Sequence, residues 1–124
     1  MYGEFLEELE KILVDYSMTY TFAGHIGDGS IRLIPLVKCG SRDSVNQIFE
    51  LAERVYKLTI SFGGSISVDH NDGIVRTPFL GLMFSEEVLK LFQDTKKIFD
   101  PKGIFNPGKK VGGSIEFAKK HTFV

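Results

Sequence analysis

Three polar clusters in the chain could do chemistry. The first is GHIGDGSIR, residues 24–32. His25 offers a ring nitrogen that can ligate a metal or take a proton near neutral pH. The glycines around it permit close approach of another body to the backbone. Asp28 could accept from the loop's own amides, and a tight turn with a half-exposed His25 accounts for every residue but the histidine. The second cluster is VDHNDGIVRTP, residues 68–78. Asp69 beside His70 is a carboxylate–imidazole pair that, with a second histidine, could coordinate a divalent ion. A histidine held by its neighbours could also take a proton from a substrate. Arg76 could grip a carboxylate through two parallel hydrogen bonds. The plainer alternative is an Asn-Asp-Gly turn with a surface ion pair. The third cluster is FNPGKK, residues 105–110, where Pro-Gly after Asn106 makes a turn and Lys109 and Lys110 add charge. A capped chain end would explain it equally.

Other chemistries lack their residues. There is no Walker-type phosphate loop, no G-x-G-x-x-G after a strand, no paired-cysteine metal motif and no G-x-S-x-G. Cys39 has no neighbouring base in the sequence and reads as a structural thiol. As the single cysteine it cannot form an internal disulfide, so a reducing cytoplasm is expected. The 15 basic and 16 acidic residues leave a net charge of −1, which gives no pull toward nucleic acid or anionic membrane. No apolar run approaches the roughly 18 residues of a membrane span. The opening MYGEFLEELEK lacks the basic-then-apolar layout of a signal peptide. Eleven phenylalanines and four tyrosines suit either a core or an interface that lacks its partner.

The elements that must position these clusters follow from periodicity. Phe5, Leu6, Leu9, Ile12, Leu13 and Tyr16 predict an amphipathic helix over 3–16. Met18, Tyr20 and Phe22 alternate with polar residues, predicting a strand over 17–23. Residues 31–37 predict a second strand, with Pro35 marking an edge or bulge. The glycine loop between them makes an antiparallel hairpin. Residues 41–44 can cap a helix whose face is Val45, Ile48, Phe49, Ala52, Val55 and Tyr56, ended by Gly63-Gly64. SISV, 65–68, predicts a short strand, and 68–78 a loop. Phe79 to Phe99 reads as helix in two pieces broken near Ser85, stopped by Asp100-Pro101. DPKGIFNPGKKVGG is irregular, and the tail SIEFAKKHTFV is an added strand, a crossing arm or disordered. The order α-β-β-α-β-α predicts one α+β domain, an antiparallel sheet covered by helices.

Taken in order, GHIGDGSIR, GGSISVDHNDGIVRTPFL and IFDPKGIFNPGKKV resemble the C-terminal half of FAD-linked oxidases. That family includes glycolate oxidase subunits, D-lactate dehydrogenases and D-2-hydroxyglutarate dehydrogenases. Its patterns are GHxGDGNxH, GGxxSxEHGxG and DPxGIxNPGK, and the resemblance spans about residues 3–111. It implies a ferredoxin-like half of a C-terminal cap domain over 1–111, with 112–124 as a tail. The SVDHNDGIVRTPFL version is closest to members fused to an iron–sulfur module.

The resemblance also implies an activity. The family oxidises small D-2-hydroxy acids by hydride transfer to FAD, with the cap covering the flavin. His70 would be the catalytic proton acceptor. His25 would be a metal ligand or face the substrate, and Asp69 falls where the family has its metal-binding glutamate. The second metal histidine of the pattern falls at residue 32, which is Arg32 here, and Ser30 replaces the pattern's asparagine. A cation at 32 repels a divalent metal such as zinc, and the shorter Asp69 reaches less far. Arg32 could instead bind the substrate carboxylate, alongside Arg76. Asn106 and Lys109 match the NPGK end, which implies a place against the cofactor-bearing domain. The sequence holds no FAD-binding motif, so a separate FAD-binding domain or subunit is the expected partner. An iron–sulfur protein is a further expected partner, and exposed apolar surface implies a homo-oligomer. The residues also leave open a stand-alone small-molecule or metal-binding module, and an oligomerisation domain, both without redox activity.

Overall fold

The computed structural model describes residues 2–37, 41–68 and 70–122. The fold is α+β, and the chain divides into two compact units that meet in sequence at Leu58 and Thr59. The thiol of Cys39 and the carboxylate of Asp69 lie outside the described residues.

The first unit begins with α1, Tyr2–Val14, whose apolar stripe buries Leu9 and Leu13. Strand β1, Thr19–Ala23, and strand β2, Arg32–Leu36, form a two-stranded antiparallel sheet. Their register pairs Tyr20 with Pro35 and Phe22 with Leu33. Pro35 has no N–H to give the ladder, and a two-stranded sheet consists of edges, where that loss is tolerated. Met18, Tyr20 and Leu33 pack on a core of Leu9, Leu13 and Leu51. Leu51 comes from α2, Arg42–Ser61. The helices thus pack on the sheet at Tyr20 and Leu33, whereas Phe22, expected on the same face, is exposed. Helix α2 starts where Ser41 Oγ accepts the Ser44 N–H at 3.4 Å. It ends where the N–H groups of Gly63 and Gly64 return to the carbonyls of Ile60 and Thr59, both at 2.9 Å, the bonding of a Schellman cap.

The second unit differs from expectation in three places. SISV is not a strand. Residues 65–68 run as irregular chain, and the hydroxyl of Ser65 takes over the local bonding by accepting from Ser67 N–H at 3.1 Å. Ile66 is buried there as a single anchor, which alternation in a four-residue run cannot distinguish from a strand. Within the expected loop a one-turn helix forms, α3, Gly73–Arg76, followed directly by a 3-10 segment, Thr77–Leu82, with Pro near its start. Helix α4, Glu86–Phe99, then starts after Ser85 and stops at Asp100, as the sequence predicts. The tail is neither strand nor disordered over 115–120. It is α5, Ile115–Lys120, capped by Ser114, whose Oγ accepts the Phe117 N–H at 3.1 Å. Ala118 is fully buried, and Ile66, Phe79 and Leu80 supply the other buried apolar side chains of this unit.

Candidate functional site

His25 and Arg32 belong to the hairpin of the first unit. Gly24 precedes the histidine at φ 142, and a Cβ there would lie 2.3 Å from the Ser30 carbonyl oxygen. No side chain fits, so glycine is obligatory for the hairpin to close. The loop is bonded through its backbone: Asp28 N–H and Ser30 N–H both donate to the His25 carbonyl, at 2.9 and 3.1 Å. Backbone bonds therefore do the work expected of the Asp28 carboxylate. The His25 side chain makes no capping bond to the 3-10 turn Ile26–Asp28 and is exposed rather than half-exposed. Arg32 opens β2 and is exposed.

His70, Arg76, Asn106 and Lys109 belong to the second unit, which brings the second and third polar clusters together. His70 is exposed in a turn closed by Asn71 N–H donating to the Val68 carbonyl at 2.8 Å. Asn71 adopts φ 57, a left-handed conformation that asparagine tolerates better than most residues. Arg76 donates from Nη2 to the Asn71 carbonyl. The exposed pair of Asn106, at φ 46, and Lys109 forms its own turn, with Lys109 N–H on the Asn106 carbonyl at 3.2 Å.

The residues that join these loops are ones the sequence reading did not select. Asp72 is not half of a surface ion pair. Its side chain is fully buried, and Oδ2 lies 2.5 Å from Lys110 Nζ. Lys110 Nζ also donates to Asn71 Oδ1 at 3.3 Å, and its backbone N–H donates to the buried Thr77 Oγ1 at 2.7 Å. Thr77 Oγ1 in turn donates to the Gly73 carbonyl. The ammonium lies 5.2 Å from the Phe92 ring centre and 6.0 Å from that of Phe84, rings that meet edge to face. The one available signal was Lys110 standing next to Lys109 in a turn that needs only one lysine.

Beneath the third cluster lies a second bonded turn. Asp100 accepts Ile104 N–H at 3.0 Å and Phe105 N–H at 2.9 Å, and Lys96 Nζ lies 2.5 Å from its Oδ2. Lys96 also donates to the Phe105 carbonyl. The hydrogen bond from Lys96 is the main cause that holds the Asp100 carboxyl below its ordinary value, against the opposing effect of burial.

The family of FAD linked oxidases, C-terminal domain, matches residues 2–110. The chain belongs to this family. Among its relatives, a D-lactate dehydrogenase of Archaeoglobus fulgidus is 35% identical over 88% of this chain and 24% of its own length. The glycolate oxidase subunit GlcD of Bacillus subtilis is 25% identical over 84% of the chain and 22% of its own. A D-2-hydroxyglutarate dehydrogenase of Stutzerimonas stutzeri is 30% identical over 85% of the chain and 24% of its own. The chain thus spans about a quarter of the length of these relatives. No solved structure matches it.

Asn71, which falls at a glycine of the EHGxG pattern that the sequence resembles, keeps a left-handed backbone without it. Among the described residues no three His, Cys, Asp or Glu side chains gather closely enough to hold a metal ion. The hairpin offers one imidazole and the Arg32 cation, which is not a donor set for a divalent ion. The exposed Lys109, with its Nζ 3.4 Å from Asn106 Oδ1, is a pairing of cation and amide that suits an anionic group such as those of FAD. Among the described residues, no helix is long and apolar enough to cross a membrane.

Proposed function

We propose that this chain forms the substrate-covering part of a flavoenzyme that oxidises a small D-2-hydroxy acid, together with an FAD-binding domain or chain. The observation that carries this reading is the family match over residues 2–110, joined to a chain that keeps His25, His70, Arg76 and the NPGK turn. FAD, when bound, accepts the hydride from the hydroxyl-bearing carbon. His70 takes the hydroxyl proton. Arg76 keeps free donors beyond its bond to Asn71, since a guanidinium carries five N–H groups, and these bind the substrate carboxylate. Arg32, with His25 on the same loop, is a further substrate-binding cation that would replace the charge of a metal ion. Asn106 and Lys109 meet the cofactor-bearing partner. The enzyme works in the cytoplasm as a homo-oligomer, with an iron–sulfur protein as a further partner.

The names of the relatives support D-lactate, glycolate and D-2-hydroxyglutarate as the substrates to try first. The test is flavin absorbance after the chain is mixed with FAD, alone and with the FAD-binding domain of a family member. Bleaching by one of these acids is expected only when the flavin domain is present. In that assembly His70→Ala slows flavin reduction about 10²-fold or more, the scale of a lost general base. Reduction at the wild-type rate would reject the assignment of His70. A second reading, a carboxylate-binding module without redox activity, draws on Arg32 standing where the family has a metal histidine. It expects D-lactate to bind the chain alone, without FAD, in calorimetry.

A further inference from the structure

We infer that the Asp72–Lys110 pair is a positioning device that sets the turn carrying His70 against the NPGK turn. The inference rests on the reading of His70 as the proton acceptor, but its geometry stands by itself. Asp72 and Lys110 are 38 residues apart, the one beside the turn of His70 and the other beside Lys109, assigned to the cofactor-bearing partner. The ammonium does not merely neutralise Asp72. It also holds Asn71 Oδ1, and Asn71 is the residue after His70. That same Oδ1 accepts the Asp72 N–H at 3.0 Å, so the amide of Asn71 is gripped from two sides.

The backbone repeats the arrangement. Asn71 and Lys110, the two ends of the contact, both adopt left-handed conformations, with φ 57 and φ 68. Asparagine tolerates this conformation, but for Lys110 it is uncommon and persists where the surroundings hold it. Thr77 ties the same two segments through its hydroxyl, accepting Lys110 N–H and donating to the Gly73 carbonyl. Gly113 lets the third cluster approach: a Cβ there would lie 2.7 Å from Thr77 Cγ2 and 2.9 Å from the Gly108 carbonyl oxygen.

The burial is informative as well. Asp72 Oδ1 has no hydrogen-bond partner although it is buried. A pair selected for stability alone would satisfy both oxygens or be replaced by apolar side chains of similar size. Here the carboxylate is buried and the lysine half-buried, and setting the register of one segment against another is the best-attested use of such a pair. Apolar side chains slide, whereas an ammonium shared between a carboxylate and an amide oxygen has one direction to point.

The two roles, stability and position, separate in a double substitution. Lys110→Met alone leaves a buried carboxylate unpaired and is expected to lower the Tm by about 5 °C or more. Asp72→Leu with Lys110→Met removes both charges and is expected to recover most of that loss. The positional role is read by NMR on the same chains, from the His70 ring resonances and the amide exchange of Asn71 and Asp72. We expect the double variant to keep displaced His70 resonances and about tenfold faster exchange at these amides, despite its recovered Tm. Native-like His70 resonances and exchange in the double variant would reduce the pair to packing and overturn the inference. So would unshifted His70 resonances in Lys110→Met. Should the double variant not fold, exchange on the native chain decides. The amides of Asn71, Asp72 and Lys110 should open together with one free energy, and independent opening of Lys110 overturns the proposal. These readouts need no flavin. A failed His70→Ala test with these results intact would refute the proton-acceptor reading and leave the positioning of the turn standing.

Discussion

Asp100 shows how one carboxylate can organise a motif. It gathers two backbone amides and the Lys96 ammonium, and so holds the turn from which Ile104 and Phe105 project. Its carboxyl is held below the ordinary value of 3.8, chiefly by the Lys96 hydrogen bond. A group whose folded value is depressed stabilises the fold fully above its unfolded value. That contribution is lost as the pH falls from 3.8 through the folded value. Asp100→Asn should therefore flatten the dependence of Tm on pH below about pH 4, where thermal scans across an acid series would read it. Gly24 gives a residue-scale prediction of the opposite kind, steric rather than electrostatic. Gly24→Ala places a methyl group 2.3 Å from the Ser30 carbonyl at a φ of 142. It should cost on the order of 1–3 kcal/mol in urea unfolding and spread to the amide shifts of residues 25–31.

At the scale of elements, the short helices are the informative ones. A helix of six residues does not stand by itself in water, since nucleation is costly and few bonds follow it. Helix α5 survives because Ser114 caps it, Ala118 is buried, and Phe117 lies against both His121, at 4.1 Å between ring centres, and the face of Gly108. Ser114→Ala should cost about 1 kcal/mol by urea unfolding, with faster amide exchange confined to α5. Helix α3 is a single turn in which the Asp72 carbonyl accepts the Arg76 N–H at 3.0 Å and the Thr77 hydroxyl reaches back to the Gly73 carbonyl. In α4 the charges follow the helix dipole, with Glu86 and Glu87 in the first turn and Lys96 and Lys97 in the last. The Ser85 hydroxyl does not cap α4. It bonds the Glu87 carboxylate, which holds that carboxyl below its ordinary value.

At the scale of the whole molecule, the notable quantity is apolar surface left in water. Ile98 and Phe99 are 74% and 80% exposed, and Ile104 and Phe105 follow across the Asp100 turn. The Asp100 bonds hold the turn that carries Ile104 and Phe105, and a preformed turn lowers the entropy cost of docking. An assembly that buries the patch is expected, so sedimentation at micromolar concentration should give a species heavier than the 13.9 kDa chain. Phe99→Asp with Phe105→Asp should return it to the monomer mass while leaving the far-ultraviolet circular dichroism unchanged. A wild-type chain that sediments as a monomer would remove the homo-oligomer from the proposed function.

Much of this molecule was legible without coordinates because it is written in local patterns. The spacing of Leu9 and Leu13, the alternation around Tyr20, the glycine pair after α2 and the stop at Asp100 each act over a few residues, within reach of one helical turn or one hairpin. The three family motifs are local in the same sense, and they determined the family. What the sequence left open is long-range. Only the tertiary structure decided that Asp72 is buried, because its partner Lys110 lies 38 residues on and no periodicity links them. It alone decided that the 115–120 tail is helical, since six residues fold only against the neighbours that bury Ala118. It also rejected the strand at 65–68, because a strand needs a partner with open backbone bonds, whatever its own alternation.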